Sequence, residues 1–262
     1  MEKPQPYPGA QTVARAVAIL KAFSDDRPER GLTDLARAVG LNKTTAYRLL
    51  AALEREGMVV RGPSREAYRL GPEAIALGAR ALRSSDLRAA GHAELETLAK
   101  QTGETATLEV LVEDRMLILD EVHGQHLVEA APSIGTHWPS HATSTGKALL
   151  AELSEAERRV AAPSPLAKLT ARTLVTQAAL RAELDRVRER GYALAVEELE
   201  AGFVAVGATV RNHEGRAVAA ISVGGPSTRV TRDRLAQLAG LVRQAAARIS
   251  RRLGHRAADG CR

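Results

Sequence analysis

The chain has 262 residues, of which 45% are hydrophobic and 26% charged, and its formal net charge is +6. This length accommodates two domains, and this apolar content excludes wholesale disorder. The single cysteine, Cys261, excludes an intramolecular disulfide and a cysteine-rich metal cluster, and no apolar run approaches the length of a membrane span.

The first predicted helix follows a proline-rich start. Residues 1–11, MEKPQPYPGAQ, lack the apolar core of a signal peptide, which predicts a disordered N-terminus and a cytoplasmic protein. Apolar residues at helical spacing then predict a helix that packs beneath the two that follow it. These residues are Val13, Val17, Ile19, Leu20 and Phe23.

Residues 32–53 have the pattern of two short helices joined by a tight turn. Thr33 is predicted to cap the first helix, Gly40 to end it in a left-handed conformation, and Asn42 to cap the second. The second helix has an apolar face that predicts burial. This face consists of Ala46, Leu49, Leu50 and Leu53.

The opposite face of the second helix is basic and rich in hydroxyl groups. It carries Lys43, Thr44, Thr45, Tyr47 and Arg48. Arginine donates two hydrogen bonds to guanine, and threonine binds phosphates, base edges or the thymine methyl, so this face suits the major groove of DNA. The alternative is the ordinary solvated face of an amphipathic helix.

A basic β-hairpin is predicted directly after this helix. Residues 58–60 form its first strand, residues 62–66 its loop and residues 67–70 its return strand, with Arg69 on the latter. A hairpin after a helix-turn-helix indicates a winged helix and favours DNA binding. The residues predicted to contact DNA are Thr33, Asn42, Lys43, Thr44, Thr45, Tyr47, Arg48, Arg61 and Arg65.

The distribution of charge agrees with DNA binding by the first third of the chain. Basic residues outnumber acidic ones by 14 to 9 in residues 1–85, whereas acidic residues outnumber basic ones by 21 to 17 in residues 86–241. A second basic segment, residues 243–256, has two interpretations. It is either the solvated face of a terminal helix or a second DNA contact.

The elements after the hairpin predict a second domain. Residues 73–82 predict a short linker helix that Gly78 interrupts. Further helices are predicted near residues 87–100, 144–150, 177–190 and 231–253, and strands near 106–112, 116–122, 127–131, 192–196, 203–211 and 217–223. This order predicts an α+β fold in which helices flank a central antiparallel sheet.

Four sequence blocks are typical of the IclR family of bacterial transcriptional regulators, which the chain resembles from about residue 13 to residue 254. They are LTDLARAVGLNKTTAYRLLAALEREGMV at 32–59, HATSTGKALLA at 141–151, RERGYALAVEELEAG at 188–202 and VAAISVGGPSTRVT at 218–231. The resemblance implies a DNA-binding repressor or activator that a small-molecule effector controls, rather than an enzyme. It also implies a homodimer or a dimer of dimers.

The resemblance implies a definite domain order. A disordered N-terminus at residues 1–11 precedes a winged helix-turn-helix domain at 12–71 and a linker helix at 72–85. A GAF-like α/β effector-binding domain follows at 86–254, with a tail at 255–262. Since one winged helix covers only a few base pairs, we expect a dimer on two half-sites, paired through the first helix and the linker helix.

The same resemblance places the effector between the sheet and the helix that follows HATSTG. The matching residues are Leu127, Ala130, Ser144, Thr145, Gly146, Ala195, Phe203, Ala205, Ser222 and Gly224. A helix N-terminus has unpaired N–H groups and partial positive charge, so residues 144–146 suit a carboxylate. Alternatively, Thr143 or Ser144 merely caps this helix and Gly146 permits close packing.

The predicted effector follows from departures from the family pattern. A member that responds to glyoxylate and pyruvate has an acidic residue, a cysteine and a serine where this chain has Ala195, Ala205 and Gly224. The cavity is therefore expected to be less polar. The predicted effector is an organic acid with a larger apolar or aromatic part, although some family members have no known effector.

Several motifs resemble those of enzymes or metal proteins. Residues 144–147 form an S-x-x-K string without its usual partner motifs, and His141 and Ala148 replace a glycine and a hydroxyl of a phosphate-binding loop. His137 pairs with His141 at helical spacing but Pro139 lies between them; His123, His126 and the nearby acidic Asp120, Glu121 and Glu129 form a second cluster. We predict no catalytic residues, no metal and no cofactor.

Overall fold

The computed structural model describes residues 9–24, 26–63, 66–125 and 134–256. The chain divides into two units, residues 1–84 and residues 85–262. Several predicted features lie outside the described residues, namely Arg65, His126, Leu127, Glu129, Ala130, Cys261 and the strand near 127–131. None of the helices within the described ranges is long and apolar enough to cross a membrane.

The described part of the first unit contains three helices, a small antiparallel sheet and a fourth helix. Its elements are α1 (Ala10–Lys21), β1 (Arg30–Gly31), α2 (Leu32–Ala38), α3 (Lys43–Arg55), β2 (Val59–Arg61), β3 (Ala67–Leu70) and α4 (Pro72–Arg83). The predicted helix-turn-helix and hairpin are confirmed. Asn42 caps α3 by accepting the N–H of Thr45 at 2.8 Å, and Gly40 adopts a φ of +64° between the helices.

One apolar core joins these elements of the first unit. Its fully buried members are Ile19, Leu35, Leu50, Val59 and Tyr68, contributed by α1, α2, α3, β2 and β3 in turn. Leu20, Phe23, Leu49 and Leu53 pack against them and are partly buried. The predicted apolar face of α3 is therefore directed into this core.

Three predictions for the first unit are wrong. The N-cap of α2 is Gly31 rather than Thr33, because β1 pairs with β3 up to Gly31 and the helix begins where that strand ends. Val13 and Val17 are 65% and 43% exposed, since their face of α1 points away from the core that buries Ile19. Gly78 does not interrupt α4, which is continuous across it.

Within its described residues, the second unit contains a six-stranded antiparallel sheet in the order β6-β5-β4-β9-β8-β7. Its strands are β4 (Thr105–Val112), β5 (Arg115–Val122), β6 (His137–Pro139), β7 (Ala193–Val196), β8 (Phe203–Arg211) and β9 (Ala217–Pro226). Its helices are α5 (Asp86–Thr102), α6 (Ser144–Glu152), α7 (Glu155–Ala161), α8 (Gln177–Arg190) and α9 (Arg232–Arg252). The predicted sheet flanked by helices is confirmed, whereas β1, β6 and α7 were not predicted.

Helices cover both faces of this sheet. On one face, Leu95 of α5 and Val242 of α9 pack against Ile221 of β9. On the other face, Leu150 of α6 and Leu184 of α8 share a core with Met116, Ala193 and Ala220. Consecutive residues of β9 thus belong to opposite cores, as the two-residue period of a strand requires.

Candidate functional site

The outer face of α3 is an exposed polar surface. Lys43, Thr44, Tyr47 and Arg48 are exposed and Thr45 is half-buried, whereas Ala46 and Leu50 on the opposite face are fully buried. The cap at Asn42 fixes the start of the helix, so these side chains project from the same side of a rigid helix. The structure therefore brings together most of the residues predicted to contact DNA.

Arg61 lies apart from that face, on β2 of the hairpin. Its Nε donates to Glu54 Oε1 at 3.4 Å, and its guanidinium carbon lies 4.2 Å from the centre of the Tyr68 ring. These contacts hold Arg61 against the body of the first unit. Thr33 is exposed on α2, and Arg69 is exposed on β3.

A cavity of about 800 Å³ lies in the second unit, on the sheet face that α6 and α8 cover. Its floor lies beside the apolar core on the same strands. Ile118 and Ser222 in the cavity follow the core residues Met116 and Ala220 by two positions and so face the same side of the sheet. Its other walls include Thr143–Thr145 and residues 199–203. Seven predicted effector contacts line it, namely Ser144, Thr145, Ala195, Phe203, Ala205, Ser222 and Gly224.

Gly146, also predicted as a contact, does not line this cavity. Any side chain at this position would overlap the carbonyl oxygen of Ser140, so Gly146 permits α6 to pack closely on the preceding turn. Thr143 caps α6 by accepting the N–H of Gly146 at 3.0 Å. Thr143 and Gly146 therefore have the structural roles of capping and close packing. Ser144 and Thr145 face the cavity.

Acidic side chains in the cavity were not predicted, and they make it more polar than expected. Glu109 of β4 and Glu121 of β5 both line it, and Glu104 lies there in a bidentate ion pair with Arg229 at 2.7–3.1 Å. Burial raises the pKa of Glu109, and the charge of Glu121 acts in the same direction. Hydrogen bonds from Thr145 and Thr107 oppose this shift by lowering the pKa. Burial also raises the pKa of Glu121.

The S-x-x-K string has a structural role in this fold. Lys147 Nζ donates to Glu198 Oε1 at 2.5 Å, and the side chains of this pair are 1% and 11% exposed. Burial lowers the pKa of Lys147, and the Glu198 carboxylate opposes that shift. The ammonium group is thus bound to a carboxylate inside the fold.

The histidines and the basic C-terminal helix also have structural contacts. His141 Nε2 lies 3.0 Å from the carbonyl oxygen of Ala167, and within the described ranges no group of three or more His, Cys, Asp or Glu side chains can hold a metal ion. On α9, Arg248 and Arg252 form ion pairs of 2.7 and 2.8 Å with Glu94 of α5. These two arginines therefore bind within the second unit.

Comparisons with known proteins agree with both parts of the structure. The family model for the C-terminal domain of the bacterial transcriptional regulator IclR matches residues 79–251, and the model for the IclR helix-turn-helix domain matches residues 12–63. The chain is 35% identical over 249 residues to the HTH-type transcriptional regulator XynR of Escherichia coli strain K12, covering 95% of this chain and 99% of XynR.

Two solved structures have the same architecture. An IclR transcriptional regulator from Alicyclobacillus acidocaldarius aligns with a TM-score of 0.83 at 30% identity, covering 93% of this chain and 99% of that one. An IclR homolog from Microbacterium hydrocarbonoxydans, complexed with 4-hydroxybenzoate, aligns with a TM-score of 0.78 at 27% identity, covering 92% and 98%. The chain therefore belongs to the IclR family of bacterial transcriptional regulators, with a DNA-binding helix-turn-helix domain and a C-terminal effector-binding domain.

Proposed function

We propose that α3 lies in the major groove of an operator and that an organic acid in the cavity of the second unit controls operator binding in the cytoplasm. The exposed Lys43, Thr44, Tyr47 and Arg48, on a capped helix whose other face is buried, support the DNA contact. If an effector changes operator affinity, the operator changes effector affinity by the same factor. Linkage therefore allows the control to be measured from either ligand.

The experiment that tests this proposal is a footprint on the DNA upstream of the protein's own gene, across a salt series and with unrelated DNA as competitor. We expect a defined footprint that resists the competitor and shifts when an organic acid is added. Binding that competitor DNA removes and that disappears with salt would contradict a specific operator complex, because that behaviour is typical of phosphate contacts alone.

The groups at the start of α6 that line the cavity support an acid as the effector. Ser144 and Thr145 lie in the first helical turn, where backbone N–H groups have no acceptor within the helix and favour an anion. A structural relative holds 4-hydroxybenzoate, an aromatic acid. The proposed effector is therefore an organic acid with an aromatic or apolar body, and a response restricted to two- and three-carbon acids would contradict it.

Arg48 is proposed to contact a base. Replacing Arg48 with alanine should weaken operator binding by about 1–3 kcal/mol and relax the preference at one base pair. The matched control is Arg55→Ala, because Arg55 is an exposed arginine in the last turn of the same helix. Both variants are measured by fluorescence anisotropy on the operator and on single-base variants of it; equal losses on every sequence would show that Arg48 binds phosphate instead.

Exposed apolar residues on α1 and α4 are proposed to pair two copies of the chain, as a homodimer or a dimer of dimers. Val13 is 65% exposed and Ile75 is 73% exposed, although large aliphatic side chains gain free energy from burial. Ile75→Ser should weaken self-association about tenfold or more in sedimentation velocity. Val160→Ser on α7 is the control, and an equal effect of both substitutions would contradict pairing through α4.

A further inference from the structure

The polar wall of the cavity is a chain of hydrogen bonds centred on Glu109. Glu109 Oε1 accepts from Thr107 Oγ1 at 2.7 Å, and Oε2 accepts from Thr145 Oγ1 at 2.6 Å. Thr107 Oγ1 also lies 2.8 Å from Ser222 Oγ. Three hydroxyl groups from β4, β9 and α6 are thus connected to one carboxylate.

The number of hydroxyl protons fixes the direction of these hydrogen bonds. A threonine hydroxyl has one proton, and Thr107 and Thr145 both donate theirs to Glu109. Ser222 must therefore donate its own proton to Thr107 across their 2.8 Å contact. All three hydroxyl protons are therefore used within the wall, and only lone pairs remain for a ligand. The wall accepts hydrogen bonds from a ligand rather than donating them.

Glu121 extends the accepting wall on the neighbouring strand. Its Cα is paired with that of Thr107 in the β4–β5 ladder, and its side chain is only 9% exposed. Oε2 of Glu121 is buried and has no hydrogen-bond partner among the described residues, while Oε1 lies 3.9 Å from His123 Nδ1. A buried carboxylate oxygen without a donor is unfavourable, and a ligand that supplies a donor removes this cost.

The countercharges near this wall do not satisfy Glu121 Oε2. Arg229, the arginine among the described cavity residues, is bound through two nitrogens to Glu104. As carboxylates, Glu109 and Glu121 repel each other and any further acceptor group brought beside them. The wall is therefore complementary to a ligand group that carries a donor proton and repels one that carries only acceptors.

We infer that the effector presents a hydrogen-bond donor, a hydroxyl or a protonated amine, to Glu121, and that Thr107 and Ser222 accept beside it. The inference rests on the proposed function, in which this cavity is the effector site. The donor lies on the strand wall, whereas the proposed carboxylate lies at the backbone N–H groups of Ser144 and Thr145 in the first turn of α6. The effector class is accordingly an organic acid with a second, donating polar group.

The test uses related acids with and without the donor. The 2-, 3- and 4-hydroxybenzoates, their methyl ethers and 4-(aminomethyl)benzoate are titrated into the full-length protein by calorimetry without DNA. We expect at least one donor probe to bind about tenfold or more tightly than its methyl ether, since hydrogen bonds to charged groups have that strength. The amine compound distinguishes an ammonium group from a hydroxyl group.

Glu121→Met tests whether Glu121 carries this preference. It should remove most of the ratio between a donor probe and its methyl ether, and leave thermal stability unchanged or higher, because it removes a buried carboxylate without a partner. The control is Glu200→Met, which removes an exposed carboxylate at the same cavity. A general electrostatic effect would shift all acids equally in both variants and leave the ratio intact.

Three results overturn the inference. They are binding of no donor probe, equal binding of donor probes and methyl ethers, and an unchanged ratio in Glu121→Met. Operator binding, measured separately, tests the proposed function. If donor probes bind with the expected ratio but leave operator binding unchanged, the inference is supported and effector control is contradicted. If methyl ethers release the operator as effectively as donor probes, effector control is supported and the inference is contradicted.

Discussion

Replacing Lys147 with methionine should lower the free energy of unfolding of the second unit by about 3–5 kcal/mol. Lys147 is fully enclosed, and its Nζ lies 2.5 Å from Glu198 Oε1. The substitution leaves the Glu198 carboxylate buried without its cation, and Glu198 Oε2 already has no partner among the described residues. Urea unfolding measures the change, followed by fluorescence of Trp138, the chain's single tryptophan, which lies in the second unit.

The double variant Lys147→Met/Glu198→Leu is the decisive control. It removes both charges, so it should recover most of the stability that Lys147→Met loses. The surface pair of Arg159 and Glu155, with side chains 77% and 54% exposed, provides the matched comparison. Arg159→Met should leave the free energy of unfolding nearly unchanged, because solvent screens this pair. A double variant as unstable as the single one would show that Lys147 stabilises the fold by packing and not by charge.

Gly146→Ala should destabilise the second unit by about 3 kcal/mol, near the upper end for overpacked positions. Alanine is ordinarily better than glycine inside a helix, by about 1 kcal/mol. At this position, however, the methyl group would overlap the carbonyl oxygen of Ser140, which belongs to the backbone and cannot rotate away. The same urea titration measures the loss.

Gly240→Ala is the control for that substitution. Gly240 lies within α9 of the same unit, and an added Cβ would meet no described atom within 4 Å. This variant should therefore gain about 0.4–1 kcal/mol. If Gly146→Ala were equally stabilising, α6 would not depend on the close approach to Ser140.

Local signals explain which elements were predictable from sequence. Asn42 and Gly40 mark the helix-turn-helix by chemistry that acts within a few residues, and both positions are confirmed. The unpredicted α7 also has a local signal, because Ser154 and Glu157 form a capping box at its start. That helix has only seven residues, so it lacks the repeated apolar spacing by which longer helices are recognised.

The acidic cavity wall shows what sequence patterns leave undetermined. Glu109 and Glu121 each occur in a strand pattern that is compatible with either face of a sheet. Their convergence depends on the β4–β5 register, which shifts between Leu108 and Glu109, and on the distant Thr145 of α6. The effector contacts taken from the family pattern include neither acid.

The ion pairs between α5 and α9 have a consequence for synthesis of the protein. Glu94 precedes its partners Arg248 and Arg252 by more than 150 residues. The apolar residues of α5 that pack with α9 are separated from it by a similar length of chain. The part of the sheet face that α9 covers, beside α5, therefore stays exposed on the ribosome until α9 emerges. A premature stop codon even shortly before residue 232 would release a chain with an exposed apolar sheet, a substrate for proteolysis and aggregation rather than a shortened regulator.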